Sequence, residues 1–133
     1  MTDYFDTQLS DEQLQTISVL GLAHIGDAVY ELLIRTWLCA HGKTTSKSLH
    51  RETVSYVSAP AQAKASEKIM AELSESERAA FKRGRNAKVN SVPKNADISE
   101  YHAATGLETL FGYLYLKGER DRINELFELI VEG

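Results

Sequence analysis

The sequence has one cysteine, two prolines and no uninterrupted apolar stretch near the roughly 18 residues of a membrane span. The single Cys39 excludes an internal disulfide and any zinc cluster built on thiolates. Its place among Trp37, Leu38 and Ala40 predicts a small core side chain. Two prolines and eight glycines are too few for a linker-rich or disordered chain. The opening residues, MTDYFD, are acidic where a signal peptide needs a basic stretch followed by an apolar one, which predicts a cytoplasmic protein. Histidines never pair at metal-ligand spacing, and the serines have neither a nucleophile elbow nor a partner histidine, so zinc and triad chemistry have little support.

Among the residues present, 43% are hydrophobic and 26% charged, as in an ordinary globular chain, and 133 residues are the length of one domain, 1–133. A net charge of −4 argues against nucleic acid as a partner, since phosphate binding draws on clustered Lys and Arg. The distribution of charge argues the other way. Between Arg78 and Lys94 the sequence RAAFKRGRNAKVNSVPK holds Arg78, Lys82, Arg83, Arg85, Lys88 and Lys94 and no acid. These cations suit either a row of phosphates or the negative end of a helix dipole, but Lys88 and Lys94 lie beyond the reach of one last turn.

Apolar residues recur at helical spacing and no repeat is visible, which predicts an all-α fold. Ser10-Asp-Glu-Gln13 has the form of a capping box opening a short helix. A long helix follows from about Val19 to Ala40, with Gly42 as its stop. Leu22, Ile25, Val29, Leu32, Leu33 and Trp37 cover much of its circumference and predict burial on more than one side. After a polar turn at 43–46, helices are expected at 47–57 and, entered through Ser58 with Pro60 in its first turn, at 59–73. Ser74-Glu-Ser-Glu77 is a second capping box, opening a helix to about Arg83. Residues 84–96 read as a loop. Asp97 begins a long apolar helix that ends at Gly118, and a last helix spans 120–131.

Two acids stand in apolar helices. Asp27, in GLAHIGDAVYELLI, has no Lys or Arg three or four residues away, and Glu108, in HAATGLETLFGYLYL, shares a face with Ala104, Phe111 and Tyr115. An ionised carboxylate out of water is costly unless it is protonated, paired or bound to a cation. A magnesium ion between the two would answer this, completing its octahedron with water and phosphate oxygens. The plainer readings are solvent exposure or pairing with a distant cation such as Arg35 or Arg51. His24 and His102, near these acids in sequence, are either outer-shell donors or structural residues.

LAHIGDAVYE at Leu22 to Glu31 resembles the Mini-ribonuclease III form of the ribonuclease III signature, RGRNAK at Arg83 to Lys88 resembles its basic loop, and PKNAD with EYHAATGLETLFGYLYL, from Pro93 to Leu116, resembles the second signature. The resemblance spans essentially the whole chain. It implies an all-helical ribonuclease III fold without a separate double-stranded RNA-binding domain, a homodimer, and a magnesium-dependent (Mg2+) endoribonuclease. The implied reaction is hydrolysis of double-stranded RNA to 5′-phosphate and 3′-hydroxyl ends, with 23S ribosomal RNA precursor as substrate. Asp27 and Glu108 match the family's catalytic, metal-binding acids. Arg83, Arg85, Asn86, Lys88 and Lys94 are the expected RNA contacts. Ala23 and Thr105 stand where the larger ribonuclease III enzymes usually carry further acids. Their loss leaves a second reading open: a catalytically silent module that binds structured RNA, a ribosomal protein or an assembly intermediate.

Overall fold

The computed structural model describes residues 1–42, 45–88, 94 and 97–132, and every regular element among them is helical, as expected. In chain order these are α1 (Asp11–Gln15), α2 (Val19–Ala40), α3 (Ser46–Val57), α4 (Ala59–Ile69), a 3₁₀ turn (Met70–Glu72), α5 (Glu75–Arg85), α6 (Ile98–Lys117) and α7 (Arg120–Glu132).

The helices begin where the sequence offers oxygen to unpaired amides. The Ser10 hydroxyl accepts from Gln13 N at 3.2 Å while Ser10 N donates to Gln13 Oε1 at 2.9 Å. Ser74 and Glu77 make the same reciprocal pair at 3.2 and 2.8 Å. Asp97 accepts from Ser99 N at 2.9 Å and Glu100 N at 3.3 Å. Such caps each contribute on the order of 1 kcal/mol. α6 stops at Gly118, whose φ of +84° is open to glycine at no steric cost.

α6 is the axis of the molecule. Its buried residues run around the whole helix, including Thr105, Leu107, Thr109, Leu110, Phe111 and Leu114. α2, α4, α5 and α7 all pack on it. Tyr30 of α2 sits edge-on to Phe111 of α6 and Phe127 of α7, with ring centroids 5.3 and 6.3 Å away. Each fully buried side chain of this kind contributes about 1.5–3 kcal/mol. On the far side, Arg122 of α7 forks onto buried Glu77 of α5 at 2.8 and 2.9 Å and donates to Glu72 O at 2.6 Å.

The structure departs from the sequence reading in several places. α4 ends at Ile69 and continues as a 3₁₀ turn, where one helix to residue 73 was expected. The guanidiniums of Arg78 and Arg122 take the carbonyls of Met70 and Glu72, so these need no partner further along the helix. α5 continues through Gly84 to Arg85, where a loop was expected to begin. Gly84 is buried, and a side chain there would strike the Thr109 hydroxyl on α6. The rest of that expected loop at 89–93, 95 and 96, and positions 43 and 44 of the turn after α2, lie outside the described residues.

Cys39 is exposed instead of buried. α2 buries the stripe Tyr30, Ile34 and Leu38, and one further residue turns the side chain about 100° away from it. Leu32, expected to be covered, is 55% exposed for the same reason of phase.

Candidate active site

α2 and α6 touch backbone to backbone. A Cβ at Gly26 would fall on the Glu108 carbonyl oxygen and 2.8 Å from Gly112 N, and one at Gly112 would fall on the Leu22 carbonyl oxygen. Asp27 follows the first glycine and Glu108 lies one turn before the second. The crossing therefore carries the two acids together, and Glu108 interacts with Asp27 through both charge and a side-chain hydrogen bond.

The pair is asymmetric. Glu108 is half-buried, whereas Asp27 is exposed, on the strip of α2 that also carries His24 and Ala28. The expectation that both acids are taken out of water is therefore correct in degree for Glu108 only. Arg35, one of the distant cations considered as a partner, is bound to Glu31 at 2.7 Å. Among the described residues neither acid is paired with a Lys or Arg.

Burial, and after it the charge and hydrogen bond of Asp27, push the Glu108 carboxyl up to about 8, and only a hydrogen bond from Gln62 works in the opposite direction. Two carboxylates this close resist ionising together, so the site favours a proton or a cation between them. Gln62 of α4 is the one group that acts on Glu108 in that opposite direction. It is 2% exposed, its Nε2 donates to Val57 O at 3.1 Å, and its Oε1 is buried without a partner. The two carboxylates suit a hard divalent cation such as magnesium. Among the described residues no three of His, Cys, Asp and Glu converge on one point. A magnesium ion, which usually takes one or two carboxylates and fills the remaining positions with water and substrate oxygens, fits so small a set.

Gln62 was not singled out in the sequence, although a signal exists. APAQAKASEKI puts Gln62, Ala65, Ser66 and Ile69 at i, i+3, i+4 and i+7, so a glutamine stands in the buried stripe of α4. Ala23 and Thr105 are both buried, and the Thr105 hydroxyl donates to Tyr101 O at 3.1 Å within its own helix. His24 is exposed, and His102 is half-buried, edge-on to Tyr101, with Nδ1 unpartnered.

Arg83, Arg85, Asn86, Lys88 and Lys94 are all exposed. Arg83 lines a groove with Asp11, Gln15, Leu22, Tyr113 and Lys117, a set that includes neither Asp27 nor Glu108. Arg85 Nε donates to Asn86 Oδ1 at 3.4 Å. Arg78 differs from the other cations of the stretch, since its guanidinium is tied to Met70 O at 3.0 Å.

The model of the Ribonuclease III domain family matches residues 20–119, a span that includes both acids and the glycine crossing between them. The chain belongs to the ribonuclease III family. Mini-ribonuclease 3 of Clostridium tetani is 43% identical over 133 residues, covering 98% of this chain and 88% of that protein. The Mini-ribonuclease 3 of a Thermoanaerobacter species is 47% identical over 124 residues, covering 93% and 87%. A crystal structure of a Fusobacterium nucleatum protein superposes with a TM-score of 0.80 at 30% identity, over 87% of this chain and 94% of that one. The likeness identifies the Mini-ribonuclease 3 branch, and membership makes the chain an endoribonuclease.

Proposed function

We propose that the chain is a magnesium-dependent endonuclease of double-stranded RNA, with residues 1–133 acting as one catalytic domain, that matures the ends of 23S ribosomal RNA precursor in the cytoplasm as a homodimer. The observation that carries this is the Asp27–Glu108 pair, two interacting acids with no cationic side chain among the described residues to neutralise them.

In this reading Asp27 and Glu108 are the catalytic, metal-holding residues. A magnesium ion bound there supplies charge neutralisation and Lewis acidity to a phosphodiester. Glu108 gives up its proton when the ion is held, and the exposure of Asp27 leaves that side of the pair open to a phosphate. Arg83, Arg85, Asn86, Lys88 and Lys94 hold the duplex through its phosphates. An A-form helix hides its base edges in a deep groove, so shape and 2′-hydroxyls are read more than sequence. Hydrolysis leaves 5′-phosphate and 3′-hydroxyl ends. One chain has one such carboxylate pair and a duplex has two strands, so a twofold dimer places one pair at each strand.

The test is incubation of the purified protein with a long perfect RNA duplex at low salt, with and without magnesium. Fragments are expected only with the ion, and Asp27→Asn is expected to lose cleavage while still retaining the duplex on a filter. Intact duplex at every enzyme and magnesium concentration, or full cleavage by Asp27→Asn, would overturn the proposal.

A further inference from the structure

Tyr30 carries a hydroxyl that the core does not use. Its ring packs edge-on to Phe111 and Phe127, which phenylalanine would do equally well, and the residue is 1% exposed. The hydroxyl makes no hydrogen bond among the described residues, yet it is not one of the sealed polar atoms. It opens at the floor of a groove of about 530 Å³ walled by Tyr56 of α3, Ala65 of α4 and Ile130 of α7. Burial pushes the phenol above its ordinary range, so it stays protonated and can both donate and accept. Lys64 stands exposed at the rim and makes no ion pair among the described residues. Lys68, on the same helix, donates to Ile130 O at 2.9 Å, and Glu67 keeps the net charge of the rim small.

We propose that this groove binds one unpaired nucleotide, with its base inward at the Tyr30 hydroxyl and its phosphate outward at Lys64. From the floor up, the groove offers a hydrogen-bonding group, apolar and aromatic walls, and a cation. A nucleotide presents a polar base edge, a flat ring and an anionic tail in the same order. Proteins take up unpaired bases in this way, against an aromatic ring and with hydrogen bonds to the base edge. The occupant follows from the chemistry of the family, because an endoribonuclease meets nucleotides in every substrate and product. Glu67 at the rim disfavours a tail of several charges, so a phosphodiester or a monophosphate fits better than a triphosphate. The residues lining the groove include neither Asp27 nor Glu108, and the nucleotide site goes beyond the proposed metal site without resting on it. Two sources share this chemistry: the unpaired end of an RNA strand and a free mononucleotide.

The test is equilibrium dialysis of the full chain against each of the four 5′-ribonucleoside monophosphates, at low salt and in chelator so that RNA added later is not cut. Saturable binding of at least one is expected. Tyr30→Phe keeps the ring packing and removes only the hydroxyl, and is expected to weaken that binding about three- to tenfold. Lys64→Gln is expected to lower the affinity to that of the matching nucleoside, which the parent binds more weakly. Asp27→Asn is expected to bind as the parent does. No saturable binding by the parent, or parental affinity in both Tyr30→Phe and Lys64→Gln, overturns the nucleotide site. A loss confined to Asp27→Asn also overturns it, by placing the nucleotide at the carboxylate pair. If Tyr30→Phe does not fold, Lys64→Gln decides by itself: weaker binding supports the site and parental affinity overturns it. Competition then identifies the source. Displacement of the mononucleotide by a short RNA duplex with unpaired strand ends, but not by a blunt one, supports the site and assigns it to strand ends; displacement by neither supports it and assigns it to a free nucleotide. Equal displacement by both would put the groove on the path of the duplex itself and reject the site.

Discussion

Glu108 couples the chemistry of the site to the stability of the fold. Burial and Asp27 raise its carboxyl from an ordinary 4.5 to about 8, so between these values the metal-free folded chain holds a proton that the unfolded chain has lost. Stability from this group is fully present below pH 4.5 and is lost as pH rises through 8. In chelator, the urea midpoint is expected to fall from pH 5 to pH 8, and Glu108→Gln to flatten that slope. An unchanged slope in the variant would assign the pH dependence to other groups. In the proposed magnesium site the ion displaces the same proton, so half-maximal magnesium for cleavage is expected to decrease as pH rises over this range. Asp27 and Glu108 were legible in the sequence as acids without local partners. Their asymmetry was not, because exposure depends on how deeply each helix face is covered.

Helix ends were readable because the signals are local. Capping serines, Asp97 and Gly118 act within three or four residues of themselves, whatever surrounds them. The extension of α5 through Gly84 was not readable, since the same glycine suits a loop or a tight crossing and only Thr109 on α6 decides between them. The α2–α6 crossing gives the sharpest prediction at this scale. Gly26→Ala sets a methyl group against the backbone of Glu108 and Gly112, atoms that cannot rotate away. Overpacking costs typically about 1–3 kcal/mol, and more is expected here because the helices themselves have to separate. Both denaturant stability and cleavage should fall. Gly21→Ala meets only Ile17 and Ser18 side-chain atoms at 3.1 Å and should stay within about 1 kcal/mol of the parent, with cleavage retained. Equal tolerance of both changes would show that the glycine contact does not control the spacing of the acids.

For the molecule as a whole, the net charge of −4 remains compatible with RNA because the cations are segregated. Arg83, Arg85, Lys88 and Lys94 are exposed, whereas nine of the nineteen acids lie within residues 1–12 and 119–132, at the two ends of the sequence. Sedimentation equilibrium without RNA tests the proposed assembly: a mass of twice 14.8 kDa is expected for the dimer. A mass of one chain at concentrations well above those of the cleavage assay would rule out the two-site arrangement.

The sequence alone determined the helical class, most of the element boundaries, the family and the two acids, because periodicity, caps and motifs are written in neighbouring residues. Only the tertiary structure decided that Cys39 and Leu32 face outward, that Arg78 is tied to the backbone, and that Gln62 is buried on Val57 O. Those outcomes depend on which faces of different helices meet, and here the contact that brings the two acids together is made where side chains are missing, at Gly26 and Gly112.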